Sequence, residues 1–405
     1  MSTKEALSGL RVVDFGWAWA GAICGQILGD FGAEVIKVES RTRLDPMRQG
    51  RPIIGDKPDP EQNPISSNVN RNKLSLAVNL KKPEAVDLVR GLVGLSDIVV
   101  ENMSVGVLDR LGLGYEDLKK VRPDVIMVSL PAAGRTGPLS SVRAYGPTIT
   151  GLSGVDSLVG YENETPTGFQ QPMADPNVGL HALLAVLAAL RHRRRTGEGQ
   201  YLESSQLQAL MPLLGGAIAE YTMTGRVPGP QDNRRHGFGP YGTYACTGRD
   251  QWVSIAVATN DEWRSLCRAM GRPELVDDPR FSDSDLRFRN HHELDEVLTE
   301  WTSERSAEEV TELLQAAGVA AAPCLGVEGR FLNEHFRSRE AYVPVTHPVL
   351  GAEFIYGTPW KLSRTPGRVQ RRVPLLGEHN EYVARDLLGL SEDRIAALTA
   401  SGALE

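Results

Sequence analysis

The chain has 405 residues, 41% of them hydrophobic and 23% charged, which fits two or three soluble domains or one large domain with a smaller insert. Its net charge of -7 argues against a nucleic-acid partner, which needs a concentrated basic face. Four scattered cysteines, Cys24, Cys246, Cys267 and Cys324, lack CxxC spacing and exclude both a disulfide framework and a zinc-site expectation.

The opening residues "MSTKEALSGLRVVDFG" have no apolar signal-peptide core, and no apolar run reaches the roughly 18 residues that span a bilayer. A cytoplasmic protein with no membrane partner is expected. "LRVVDF" (10–15) is a short β-branched run that predicts a strand, and "GAICGQILGDFG" (21–32) has helical spacing. "EVIKVE" (34–39) is the next strand, followed by a polar, proline-rich loop from Ser40 to about Asn70. Residues 83–96 predict an amphipathic helix, 97–102 a strand, 115–123 a helix and 124–130 another strand. This alternation predicts an α/β fold with a doubly wound parallel sheet, Rossmann-like, and helices on both faces.

A long helix is predicted from 176 to 195, then a strand around "GQYLESS" and a second apolar helix. Asp175 is expected at the N-cap of the long helix, with Pro176 at its first position. Val178, Leu183, Leu184, Val186, Leu187 and Leu190 are expected to form its buried face, with Arg191 to Arg195 at the negative end and Gly197 closing it. From about Pro228 the texture becomes a Gly/Pro/Arg-rich linker. A strand at 252–258, three polar helices and "VAAAPCL" (319–325) then predict a smaller α+β domain. The tail reads as short strands and a final helix. The resulting division is 1–225 with 326–405 as the large domain and 226–325 as the smaller one.

Several chemistries fail on their motifs. The first turn, "GWAWAGAICG", has Gly16, Gly21 and Gly25 but not GxGxxG, and its two tryptophans would block a pyrophosphate. Glu39 mimics a ribose-binding acid only weakly, so no NAD is expected. There is no GxxxxGK[ST], HExxH or GxSxG, and no metal is expected. His181 sits among leucines, His291 and His292 are adjacent in a polar helix, and His236 in the linker is the least explained histidine. Trp17 and Trp19 are either core filler or the wall of an apolar pocket at the strand ends. Asp175 is either a helix cap or a reactive carboxylate, and its neighbours alone do not decide between the two.

Several stretches in register resemble one family, the class III CoA-transferases, a group that includes formyl-CoA transferase, carnitine–CoA transferase and α-methylacyl-CoA racemase. They are "GLRVVDFGWAWAGAICGQILGDFGAEVIKVE", "NRNKLSLAVNLKKPE", "SDIVVENMSVGVLDRLGLGYEDL", "VSLPAAGRTGP", "MADPNVGLHALLAVLAAL", "TGEGQYLESSQ", "GPYGTYACTGRDQWVSIAVA", "GVAAAPCL" and "PLLGEHNEYV". The likeness runs over nearly the whole chain. It implies a Rossmann-like domain built from the first half plus the tail, a smaller inserted domain, and two chains interlinked as a homodimer.

The resemblance also implies chemistry. Asp175 aligns with the family's catalytic aspartate, which attacks an acyl-CoA and forms a mixed anhydride. No metal or redox cofactor takes part, and coenzyme A enters as part of the substrate. A carboxylate is already ionised at neutral pH, and a helix N-terminus should keep it so. The match places Asn72 and Lys73 along the adenine and phosphate end of coenzyme A, and Asn102 and Met103 toward the thioester. Arg110 becomes a phosphate partner, while Arg48 matches a family arginine without a clear role.

In "VRAYGPT", Tyr145 stands where the racemases hold a histidine and is a poor base at neutral pH, while Gly146 replaces an acid. Both departures favour transfer over racemisation. Trp19 replaces a polar residue, which suggests a bulky or aromatic acyl group beside Trp17 and Trp19, and Arg143 is placed at the acceptor's carboxylate. The expected activity is therefore CoA transfer from an acyl-CoA, succinyl-CoA being the candidate donor, to another carboxylic acid. The alternatives are a racemase or epimerase, and a CoA-ester-binding subunit of a heteromer with a related chain.

Overall fold

Runs of β-branched residues four to six long alternate their side chains between two faces, and in the first half of the chain both faces are apolar. The computed structural model describes residues 5–55, 59–162, 164–171 and 173–405. The chain divides into two units. The first contains Met1–Asp156, Gly168–Val227 and Arg337–Glu405, and the second contains Ser157–Thr167 and Pro228–Phe336.

The first unit holds six parallel strands: β1 (Arg11–Asp14), β2 (Glu34–Glu39), β3 (Lys73–Ala77), β4 (Ile98–Glu101), β5 (Ile126–Ser129) and β6 (Tyr201–Glu203). Their order is β3-β2-β1-β4-β5-β6. The order reverses between β1 and β4, which makes the crevice at those strand ends the expected ligand position of a doubly wound sheet. Helices α1 (Ala20–Asp30), α2 (Pro83–Gly94), α3 (Tyr115–Val121), α4 (Gly146–Ser153) and α5 (Ala174–Thr196) accompany it. Val12, Val35, Ile98 and Ile126 join one core with residues of α1 and α5. Their neighbours Val13, Ile36, Val99 and Met127 join the opposite core with α2 and α3. The sheet is thus covered on both sides, as its sequence pattern predicted.

Strand β3 escaped that pattern, because "NRNKLSLA" opens with four polar or charged residues and reads as a loop. In the structure β3 is buried throughout, and its outer edge is sealed by the C-terminal segment. Asn72 N donates to Arg371 O (3.1 Å), His379 N to Ser75 O (3.0 Å), and Ala77 N to Asn380 Oδ1 (2.8 Å).

The face expected for α5 needs correction. Its buried residues are Ala174, Val178, Gly179, Ala182, Val186 and Ala189, whereas Leu184 is 69% and Leu187 41% exposed. The cause is close approach: a Cβ on Gly179 would lie 2.8 Å from Ile23 Cγ2 of α1, so only small residues fit there. Downstream, the predicted second apolar helix is broken into short pieces. The last, Gly215–Thr224, buries none of its side chains.

In the second unit, β7 (Tyr241–Ala245), β8 (Trp252–Ala256) and β9 (Ala320–Pro323) form an antiparallel sheet. It packs with α6 (Asn260–Ala269), α7 (His291–Ser303) and α8 (Ala307–Ala316) around Trp263, Phe281, Leu294, Leu298 and Leu314. Strand β7 lies at the end of what the sequence reads as linker. Helix α6 starts with a reciprocal cap between Thr259 and Glu262. Here His236 stacks on Phe288, with ring centroids 4.0 Å apart.

Candidate active site

The crevice between β1 and β4 is organised by charged residues inside the sheet. Asp14 and Lys73 are fully buried and paired at 2.7 Å, and Lys37 pairs with Asp45 at 2.9 Å. Burial pulls the Lys73 ammonium below its usual range, with Asp14 opposing it. Burial acts the same way on Lys37, but Asp45, Asp14 and Glu39 together outweigh it and hold that ammonium above its usual range. Charges this deep persist only when paired and hydrogen-bonded.

The turn after β1, which carries Trp17 and Trp19, lies over this network. Asn102, just beyond β4, accepts from Trp17 N (2.7 Å) and donates to Trp17 O (2.8 Å). A Cβ on Gly21 would lie 2.5 Å from Gly16 Cα and 2.8 Å from Asn102 Oδ1, so the glycine is required where the two loops meet. The Arg43 guanidinium stacks over the Trp17 ring at 4.5 Å. Trp19 is partly buried, and its indole nitrogen is enclosed without a hydrogen-bond partner.

Asp175 enters from α5. It is not the cap: Met173 occupies that position and makes no side-chain cap, Asp175 is the second helical residue, and Pro176 the third. Pro176 remains in the first turn, where its missing N–H leaves no helical bond unmade. The Asp175 carboxylate accepts no hydrogen bond among the described residues, and burial pushes its pKa up to about 6. The carboxylate thus stays mostly ionised at neutral pH, as expected, while burial brings its titration closer to neutrality than for an exposed aspartate. Both α1 and α5 run against the strands on one sheet face and are therefore parallel. Gly179 abuts both Ile23 and Ala20 O, so the N-terminal parts of the two helices are neighbours.

Other sequence-derived candidates are placed differently. Lys73 is committed internally, to Asp14, Ala22 O (2.9 Å) and Asn70 Oδ1 (3.0 Å), so a role at a phosphate would require that cluster to open. Asn72, at φ 60°, is tied to Asp30, Arg368 O, Gln370 N and Arg371 N at the sealed edge of β3. Met103 is half-buried and donates its N–H to Glu101 (2.8 Å). Arg110 is exposed after β4, and Arg143 and Tyr145 are exposed just before α4. No described contact joins these three to Asp175. Arg48 is a structural residue, buried and bidentate to Glu39 (2.7 and 2.9 Å), which removes Glu39 from any ribose role.

Sequence reasoning missed Asp14, Lys37, Asp45 and the buried Glu101–Ser129 hydrogen bond beneath the loop after β4. A signal existed, since Asp14, Lys37 and Lys73 interrupt otherwise apolar strands. Among the described residues no group of three His, Cys, Asp or Glu side chains could hold a metal, and no helix is long and apolar enough to cross a membrane.

A doubly wound sheet with a ligand crevice at its switch point, together with a desolvated carboxylate at the start of α5 that is unpartnered among the described residues, marks an α/β enzyme with a candidate nucleophile. The chain belongs to CoA-transferase family III, whose pattern matches residues 7–380. It is 34% identical to succinyl-CoA–D-citramalate CoA-transferase of Chloroflexus aurantiacus, over 97% of each chain. It is 32% identical to the beta subunit of succinyl-CoA–L-malate CoA-transferase of the same organism, again over 97% of each. A crystal structure of a CAIB/BAIF family protein from Brucella suis superposes with a TM-score of 0.86 at 30% identity, covering 95% of this chain and 100% of that one. The protein is thus a CoA-transferase, an enzyme whose substrates are CoA thioesters.

Proposed function

We propose that the protein moves CoA from succinyl-CoA to a second carboxylic acid through a covalent adduct on Asp175. The observation that carries this reading is the carboxylate at the entrance of α5, raised to about 6 by burial and without a hydrogen bond among the described residues. A desolvated carboxylate of higher basicity is the better nucleophile, and at neutral pH it is still mostly ionised.

The steps balance without an external proton or electron. An Asp175 oxygen attacks the thioester carbonyl, the C–O bond forms, the C–S bond breaks, and CoA leaves as thiolate with the bonding pair. The thiolate then attacks the Asp175 carbonyl of the mixed anhydride, releasing the donor carboxylate and leaving an aspartyl–CoA thioester. The acceptor carboxylate attacks that carbonyl and frees the thiolate again. Attack of the thiolate on the acceptor's acyl carbon yields the new CoA ester and restores Asp175. One thioester replaces another, so no energy-rich co-substrate is needed. Racemisation would require a base on each face of the α-carbon, and Tyr145 is 75% exposed with no partner base beside it.

Trp17 and Trp19 favour a bulky or aromatic acyl group, with Arg143 at the acceptor's carboxylate and Asn102, Met103 and Arg110 along coenzyme A; Asn72 and Lys73 could join them only by giving up their internal hydrogen bonds. The acids for which the two relatives above are named, citramalate and malate, favour a small hydroxylated dicarboxylate instead. The test is incubation with succinyl-CoA and a panel of both acid types, trapping with hydroxylamine, and peptide mapping. A hydroxamate on Asp175 supports the mechanism. Turnover without any modification there would sink it.

The pH dependence follows from the raised pKa. Adduct formation should be about tenfold slower at pH 5 than at pH 7, because the reactive ionised form is lost as pH falls through about 6. Rapid-quench measurement of thiolate release reads this directly, and a flat profile would contradict it.

We further propose a homodimer. Leu184, Leu187, Leu213 and Met223 are exposed by 41–84%, far more apolar surface than these segments need if they stay in water. The wild type should show twice the chain mass in light scattering, whereas L184E/M223E should show one chain mass or fail to accumulate. A relative that is a beta subunit makes pairing with a related chain the other outcome to check.

A further inference from the structure

The turn between β1 and α1 is held by a side chain of β1 itself and by side chains from three other places in the fold. Gly16 N donates to Asp14 Oδ1 (2.7 Å), and Lys37 Nζ donates to Gly16 O (2.5 Å). Trp17 N and O are both taken by Asn102. Ala18 N donates to Asp45 Oδ1 (3.1 Å), which also accepts from Met47 N (2.9 Å). Five consecutive backbone polar groups thus end on side chains rather than on neighbouring backbone.

Without that hold the turn would not keep its shape. Ala18 sits at φ 52°, a left-handed conformation that costs a non-glycine residue about 1 kcal/mol or more and persists only when its surroundings impose it. Lys37 and Asp45 are both buried, and one end of their ion pair grips Gly16 while the other grips Ala18. They bracket Trp17 and fix the backbone from which α1 and Trp19 begin, beside the N-terminal part of α5.

We propose that Lys37 and Asp45 are positioning residues of the transferase site, an ion pair that fixes the tryptophan turn against the nucleophile of α5. This rests on the reading of Asp175 as the nucleophile. Lys37 and Asp45 touch neither substrate nor reacting atoms; they set where the pocket wall stands. A misplacement of about 1 Å in such a wall can reduce turnover on the order of a hundredfold.

The test is the double variant K37M/D45N, which removes both charges together and so leaves no unpaired ion in the interior. Its kcat with succinyl-CoA should fall at least about tenfold, while the unfolding midpoint and the half-saturating thioester concentration change by less than about threefold. Equal kcat in variant and wild type would overturn the proposal, as would a kcat loss that merely tracks a lost fold. Should the double variant not fold, Lys37→Arg alone decides, since arginine keeps the charge opposite Asp45 and changes only the length and shape of the donor on Gly16 O. A kcat lower by about threefold or more supports the proposal, and an unchanged kcat refutes it. Hydroxylamine trapping on wild type runs alongside: no adduct at Asp175 defeats the mechanism, whereas an adduct with unaffected variants defeats only the positioning role.

Discussion

Asp175→Ala should lower CoA transfer by about 10⁴-fold or more, the scale on which enzymes lose rate with a covalent nucleophile, while binding of free CoA survives. The same site gives a second readout through stability. Burial raises the Asp175 pKa in the folded protein to about 6, above the usual carboxylate value of 3.8. The unfolded chain therefore ionises this group more easily than the folded one. The folded state carries no penalty below the unfolded pKa, acquires it progressively as pH rises, and bears it fully above about 6. Asp175→Asn should accordingly stabilise the protein at pH 8, by on the order of 2 kcal/mol for a shift of about two units on a partly buried group, and leave it unchanged near pH 4. Urea titrations at the two pH values check this. A variant that loses activity and also loses stability at pH 8 would mark Asp175 as a structural residue.

Lys73→Met should destabilise the first unit by about 3–5 kcal/mol, since it leaves the fully buried Asp14 carboxylate without its counter-ion. That is a large share of the 5–15 kcal/mol that holds a typical domain together. Adding Asp14→Asn should recover much of the loss, because a neutral pair needs no compensation inside the sheet. The three acceptors on Lys73 Nζ, from β1, α1 and the segment before β3, explain why one side chain matters to so many elements. If Lys73 instead served a phosphate of coenzyme A, its loss would weaken thioester binding and leave the urea midpoint in place. The double-mutant cycle and a CoA titration on the same samples separate the two.

Together these variants sort the crevice into a reacting group and the frame that aims it. Asp175 has no partner and is expected to be dispensable for folding. Asp14, Lys37, Asp45 and Lys73 are buried and bonded to one another's elements and to the turn after β1. In such a site the frame is paired while the reacting carboxylate is left desolvated.

Much of this architecture could be read from residue order. "RVVD", "EVIKVE", "DIVVEN" and "DVIMVSL" carry β-branched runs that local preference makes strands, and the helices between them follow from spacing and terminal glycines, so the parallel sheet was legible. The run of matching segments around "MADPNVGL" also singled out Asp175 before any coordinate. Other features needed neighbours distant in sequence. The strand character of "KLSLA" comes from a C-terminal segment some 300 residues away that seals its edge. The exposed leucines of α5 follow from the approach of α1, which reserves the buried face for glycine and alanine.

The sequence by itself determined the alternation of elements, which depends on local preference, and the family resemblance, which singled out Asp175 as the candidate nucleophile. Only the tertiary structure decided that Lys73 belongs to an internal ion pair, that Asp175 is the second helical residue rather than the cap, and that its carboxyl is held at about 6. Those properties are set by which groups surround a charge and how much water reaches it, and that is fixed only when distant segments pack together.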